Sequence, residues 1–215
     1  GKTTDLTAMG GAQYVHTFDK CFFMPSDLTA GLEYNRDRLK DNMWGYNRHT
    51  DQTVNIYSAF LQNEWKNDRW GILIGGRLDK HNMVDNVIFS PRANLRFNPT
   101  QNINLRLSYS SGFRAPQAFD EDMHIENVGG TVAMIERAKD LKEEKSQSFS
   151  VSADMYHRFG AFQTNLLIEG FYTRLTDVFV LGKPYDRGDG ILVKTRSNGP
   201  GAKVMGLTLE GKVAY

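Results

Sequence analysis

Much that would place a chain quickly is missing from this one. Of its 215 residues only Cys21 is a cysteine, so no internal disulfide framework can staple it. That leaves the compartment open, because large β proteins of oxidising spaces often do without disulfides. No stretch approaches the ~18 consecutive apolar residues of a membrane-spanning helix, and helical periodicity is nearly absent. Neither sign of charge dominates: 26 basic against 25 acidic residues leave a net charge of +1. With no basic cluster along the chain, there is no electrostatic footprint for a nucleic-acid partner. The start carries no basic region, apolar core and small-residue cleavage site. It opens at Gly1 without a methionine, as expected of a chain that is mature, processed or cut from something longer. Its low mean hydropathy suits a soluble protein, but that test is blind to transmembrane barrels, whose polar lumen residues cancel the lipid-facing ones.

What the chain does have is alternation. In 102–109 one face carries Ile103, Leu105, Leu107 and Tyr109, and the other Asn102, Asn104, Arg106 and Ser108. That is a strand with one apolar and one polar face. Segments 91–97, 148–156 and 205–215 split in the same way. Weaker cases are 28–34, 59–65, 72–78 and 164–172, and segments 9–18 and 191–196 are ambiguous. The count is about ten strands, many of about nine to twelve residues, long enough to cross a bilayer at a tilt.

The connections alternate in length. Short ones are expected at 66–69, 98–101, around Gly160 and at 198–202. Longer ones are expected at 40–50, 81–86, 115–143 and 181–190. An up-and-down barrel with one tight rim and one looped rim produces this pattern. Aromatic residues mark the tight rim: Trp65 and Trp70 flank one turn, Phe97 precedes another, and Phe159 and Phe162 flank a third. Such rings gather where membrane headgroups begin. Charges of both signs, among them Glu64, Arg77, Asp79, Arg106, Glu169 and Glu210, fall on the polar faces. A wet lumen would satisfy them, and so would solvent around a secreted soluble β-sandwich. Periodicity alone leaves both readings open, and a passive outer-membrane channel besides.

Taken together, several segments resemble the barrel of TonB-dependent outer-membrane receptors. They are IYSAFLQNEW and WGILIGGRLD within 56–79, FSPRANLRFNPTQNINLRLSYSSGFRAP at 89–116, and DLKEEKSQSFSVSADMY at 140–156. FYTRLTDVF at 171–179 and NGPGAKVMGLTLEG at 198–211 complete the set. No one motif decides the matter; their order and spacing do. The resemblance implies an all-β, antiparallel, up-and-down transmembrane barrel of ~22 strands in the bacterial outer membrane. Residues 1–215 would be a partial barrel domain, with the plug domain and flanking strands lying outside them. Such an excerpt has open strand edges that invite pairing with another copy.

The resemblance also implies import of a metal chelate, cobalamin or a ferric siderophore ahead of haem, and no covalent catalysis. The implied partners are outer-membrane lipid, the chelate, and the periplasmic energy-coupling protein TonB through the region that precedes the barrel. No nucleic-acid partner, no covalently bound cofactor and no definite resident metal are expected. On this reading the Phe-Arg-Ala-Pro knot at 113–116 closes a strand at the extracellular rim, because proline removes a ladder donor. The knot and the long loop after it supply the candidate ligand-binding residues Arg114, Asp120, Glu121, Asp122 and His124. His124 is also a possible axial ligand for haem iron. A short helical turn is expected within 131–138.

Overall fold

The computed structural model describes residues 1–117, 126–128 and 131–215. Nine long strands form one sheet in which every neighbouring pair is antiparallel. They are β1 (Lys2–Cys21), β2 (Met24–Met43), β3 (Arg48–Lys66), β4 (Trp70–His81), β5 (Ile88–Thr100) and β6 (Ile103–Arg114). After an excursion come β9 (Glu144–Phe159) and β10 (Phe162–Thr176), and after a second excursion β14 (Ala202–Ala214). The order is up-and-down throughout, with β1 and β14 at the edges. Nine of the ten expected strands belong here.

At one end the hairpins turn tightly. Asn67 shapes the β3–β4 turn by accepting the backbone N–H groups of Arg69 and Trp70 at 2.9 and 2.7 Å. This is the side-chain mimicry of a backbone turn at which asparagine excels. Gly160, at φ +59°, closes β9–β10 in a conformation that most side chains disfavour.

Register sorts the side chains onto two faces, since directly paired residues point the same way. Leu61, Ile74, Leu105, Leu107, Phe149, Val151, Leu207 and Leu209 all lie on one face, and all are exposed. The opposite face holds the polar set. There Arg77 reaches Glu33 at 2.7 Å and Asp79 at 2.9 Å, and Ser58 donates to Asp79 at 2.5 Å. The polar face also lines a hollow of about 660 Å³ among Glu33, Ser58, Arg77, Asp79 and Ser90. A soluble sandwich would bury the apolar face, and this sheet leaves it exposed. On the polar face Gly31 lies beneath the ring of Phe60, and Gly206 beneath Phe171. A Cβ at either glycine would collide with the ring that covers it.

The looped end departs from the sequence-based expectation in three ways. First, no long loop spans 40–50. β2 and β3 continue for 20 and 19 residues and turn through a single 3-10 turn, Trp44–Tyr46, closed by Asn47 at φ +47°. A bilayer crossing takes about nine to eleven tilted residues, so this hairpin projects well beyond one. The polar composition of 40–50 hid the strands, because polar residues occupy both parities there.

Second, residues 131–137 form a strand, β8 (Thr131–Arg137), where a helical turn was expected. Its ladder partners lie far away in sequence, and local pattern cannot reveal them.

Third, 191–196 and 198–202 are not barrel strand and tight turn. β13 (Leu192–Asn198) belongs to a second sheet at the looped end, with β11 (Phe179–Leu181), β8 and β7 (Glu126–Val128) in the order β11-β13-β8-β7. β12 (Tyr185–Asp186) also pairs with β13. β13 and β8 are parallel, the one such pairing among the described residues. That pairing ties the excursion after β6 to the excursion after β10. Asn198 fastens the junction, donating to Lys142 O at 3.0 Å and Asp177 O at 2.7 Å while accepting Lys142 N–H at 2.7 Å. The buried apolar side chains Leu39, Val54, Val84, Ile88, Ala115, Met134 and Val193 all sit at this end. Core-like packing therefore lies at the mouth and not between sheets.

Candidate functional site

Five segments converge at the looped end. The β2–β3 tip brings Arg48 and His49, the β4–β5 connection Met83, and the knot Pro116. Glu136, Arg137 and Lys139 come from the end of β8, and Arg187 from the turn between β12 and β13. Together they line a hollow of about 670 Å³. Arg187 holds the segments in place: its guanidinium donates to Tyr46 O at 3.0 Å and pairs with Asp189 at 2.6 Å and Glu136 at 3.4 Å. Arg48 pairs with Asp41 at 2.9 Å, both nearly out of solvent. Burial alone would raise the Asp41 carboxyl, but hydrogen bonds from Thr3 and Arg48 outweigh it and hold the group below the usual carboxylate range. Arg137 donates to Pro116 O at 2.8 Å. Lys139 is exposed and has no polar partner among the described residues. Glu136 and the carboxylates of Asp41 and Asp189 are already matched, which leaves Lys139 as an unmatched cation among the described residues of the lining.

Beside the hollow, His81 ends β4 and is fully buried. Its Nδ1 accepts the Met83 N–H at 3.0 Å, so the ring proton resides on Nε2 and is donated to Gln117 Oε1 at 3.0 Å. Burial pushes the imidazole pKa below the ordinary histidine value, against the pull of Gln117 and Asp79 and with a small push from Lys80. The neutral ring thus pins the start of the long loop to the β4–β5 connection. Because the folded value is depressed, this contribution is complete above about pH 6.5 and is lost as pH falls through the folded value. Amide exchange at Met83 and Gln117 is expected to accelerate between about pH 7.5 and pH 5, beyond the intrinsic pH effect. Unchanged protection factors would remove His81 as a pin.

Of the residues expected from sequence, Arg114 ends β6 opposite Glu144, with its guanidinium 5.6 Å from the centroid of the Phe179 ring. Arg196 lies 5.9 Å from the same centroid, so Arg114 helps to clamp the second sheet and is not part of the hollow's lining. Asp120, Glu121, Asp122 and His124 lie outside the described residues. Among the described residues no cluster of three or more His, Cys, Asp or Glu side chains is arranged to hold a metal ion. Sequence reading missed Arg48 and Arg187, each of which sits in a segment that reads as loop.

The aromatic residues expected at the turn rim all point to the apolar face. Trp70 stacks on Phe97 at 4.3 Å, Trp65 stacks on Phe23 at 5.7 Å, and Phe162 meets Tyr215 at 5.2 Å, while Phe159 packs against His157 at 4.3 Å. A second set, not anticipated, lies nearer the looped end. Tyr34 meets Tyr57 at 4.9 Å, and Tyr109 meets Phe149 at 4.8 Å.

A family model described as TonB dependent receptor-like, beta-barrel, matches residues 2–215. The chain belongs to that family. TonB-dependent receptors are outer-membrane proteins, which assigns the exposed apolar face to lipid, the tight turns to the periplasm and the looped end to the exterior. Among curated proteins, the probable hemoglobin and hemoglobin-haptoglobin-binding protein 3 of Haemophilus influenzae is 23% identical over 206 residues, covering 94% of this chain and 18% of its own. The siderophore receptor PirA of Pseudomonas aeruginosa superimposes with a TM-score of 0.79 at 17% identity, covering 97% of this chain and 39% of its own. The Serratia marcescens hemophore receptor HasR, solved with its hemophore HasA and heme, gives 0.75 at 14% identity, covering 99% and 40%. This TonB-dependent receptor chain therefore spans less than half the length of the proteins it matches.

Proposed function

We propose that the chain is part of a larger TonB-dependent receptor barrel that captures an anionic ferric chelate for import. The observation that carries this reading is the cation-lined hollow at the extracellular mouth, built by two excursions that the parallel β8–β13 pairing holds together. Ferric siderophores whose donors are catecholate or carboxylate oxygens carry net negative charge, so Lys139 complements them while Arg187 keeps the walls in place. Relatives named as siderophore and hemophore receptors support iron chelates ahead of cobalamin. The plug belongs to the remainder of the receptor, and a separate periplasmic energy-coupling protein acts on it. Exposed His49, which also lines the hollow, favours haem as a second reading. Its Nδ1 is engaged by Asn42 at 2.9 Å, and its Nε2 remains for iron.

The two aromatic sets bear on how the barrel sits. They lie about eight to ten residues apart along their strands, or about 20–25 Å of height at a tilt near 40°, close to the apolar band of an outer-membrane barrel. We take Trp65, Trp70, Phe97, Phe159 and Phe162 as the periplasmic girdle and Tyr34, Tyr57, Tyr109 and Phe149 as the outer one.

Deleting the gene for the whole receptor and supplying iron as a triscatecholate chelate, as haem, or alongside cobalamin tests the cargo. Loss of growth and of radioactive iron uptake on the anionic chelate is expected. Intact iron uptake with failed cobalamin uptake would overturn the reading.

A further inference from the structure

The chain contains a single Asn-Gly step, Asn198–Gly199, and it falls at the joint between the barrel and the second excursion. Asparagine is a thermolabile residue. It is least durable before glycine, because no side chain there hinders the next backbone nitrogen from reaching the amide carbon. The fold accounts for both residues. Asn198 ends β13 opposite Phe179, donates to Lys142 O at 3.0 Å and Asp177 O at 2.7 Å, and accepts the Lys142 N–H at 2.7 Å. Among short side chains only asparagine supplies two donations and an acceptance at once. Asp177, whose carbonyl it holds, sits at φ +53°, a left-handed conformation uncommon outside glycine. Gly199 is required by packing, since a Cβ there would lie 2.7 Å from Cγ1 of Val180, a stiff side chain.

The same contacts keep the step inert. Ring closure needs the Gly199 nitrogen to give up its proton and approach Asn198 Cγ. In the folded protein that N–H donates to Val178 O at 2.6 Å, and the Asn198 amide is held at the end of a strand by Lys142 and Asp177. Reaction therefore awaits local opening of the joint.

We infer that Asn198 is a deamidation site gated by this joint, and that its conversion frees the second excursion from the barrel. The Gly199 nitrogen attacks Asn198 Cγ, the bond from Cγ to Nδ2 breaks, and the departing nitrogen takes the proton and leaves as ammonia. Water then opens the resulting succinimide at either carbonyl, leaving an aspartate or an isoaspartate at 198. No oxidant or reductant enters. The new carboxylate still accepts the Lys142 N–H, but it has no hydrogen to give the carbonyls of Lys142 and Asp177 and sets negative charge against both. Isoaspartate also lengthens the main chain by one methylene and shifts β13 against β11. Reclosing the joint does not restore the amide. The site is independent of which cargo the hollow takes.

The test follows the full-length receptor in detergent at mildly alkaline pH, folded and unfolded in urea. Peptide mass spectrometry counts conversion at each asparagine, and hydrogen exchange reads the Gly199 amide. In the unfolded chain, position 198 should convert faster than the other asparagines, Asn47 and Asn67 among them. In the folded receptor it should slow by at least about a hundredfold, and its rate should rise in parallel with Gly199 exchange as sub-denaturing urea is added, since one opening frees the same nitrogen for both. Equal folded and unfolded rates would overturn the gating, and conversion at 198 no faster than at Asn47 or Asn67 in urea would remove the site. The consequence is read in Asn198→Asp and in wild-type receptor that folded first and was then aged until most of it had converted. Exchange across 139–144, 177–182 and 192–199 should quicken by at least about tenfold in both, with 39–52 unchanged. If Asn198→Asp does not fold, the aged wild type decides, and unaltered exchange there would show that the joint does not depend on the Asn198 amide.

Discussion

Replacing Arg48 by alanine is expected to loosen the projecting β2–β3 hairpin by about 3–5 kcal/mol, the usual cost of orphaning one member of a buried ion pair. Asp41 and Arg48 have side chains only 2% and 8% exposed, and they meet at 2.9 Å. Without Arg48 the carboxylate keeps a single hydrogen bond, from Thr3 at 2.5 Å, in a place water barely reaches. The measurement is amide exchange across 39–52 in the full receptor, which should quicken by at least about a hundredfold, while strands β9 and β10 stay protected. A double variant, Asp41→Leu with Arg48→Met, should recover most of the loss, because a well-packed apolar pair of similar volume often replaces a buried ion pair without penalty. The pH dependence follows from the depressed Asp41 pKa. The contribution is whole above the ordinary carboxylate value near 4 and disappears as pH falls through the folded value. A shift below about 1 kcal/mol in Arg48→Ala would show the pair to be incidental.

A charge reversal at Lys139 should have the largest effect on binding. Lys139→Glu exchanges a positive for a negative charge at the edge of the 670 Å³ hollow. For a monovalent anionic chelate about 8 Å away, at a dielectric between the limits for water and protein surface, this amounts to about 2 kcal/mol, or about thirtyfold in affinity. A uniformly neutral ferric chelate is the control and should shift less than about threefold. Isothermal titration of the purified receptor with both chelates reads the difference. Equal losses for the two would mean that Lys139 acts through folding and would detach the hollow from anion capture.

Legibility in the sequence varied with the range of the forces involved. The alternation of Ile103, Leu105 and Leu107 with Asn104 and Arg106 announced a strand with one apolar and one polar face, because side-chain direction in a strand depends only on parity. The same parity set Trp65, Trp70 and Phe97 on that face. The hairpin tip was misjudged because Asp41, Asn42, Arg48 and His49 are polar on both parities, so no apolar alternation marks the strands. β8 was mistaken for a helical turn because Met134 reports burial but not the partner that confers it.

By itself, then, the sequence determined the class of this protein: one-sided antiparallel strands, short turns at one end and long excursions at the other, with apolar side chains gathered on one face. These are nearest-neighbour properties, written in parity and turn chemistry. Only the tertiary structure decided the mouth. It joined β8 to β13 in parallel, drew Arg187 to the carbonyl of Tyr46 across 141 residues, and set Arg174 opposite Lys203. Each of those contacts depends on register between distant segments, and no local pattern encodes register.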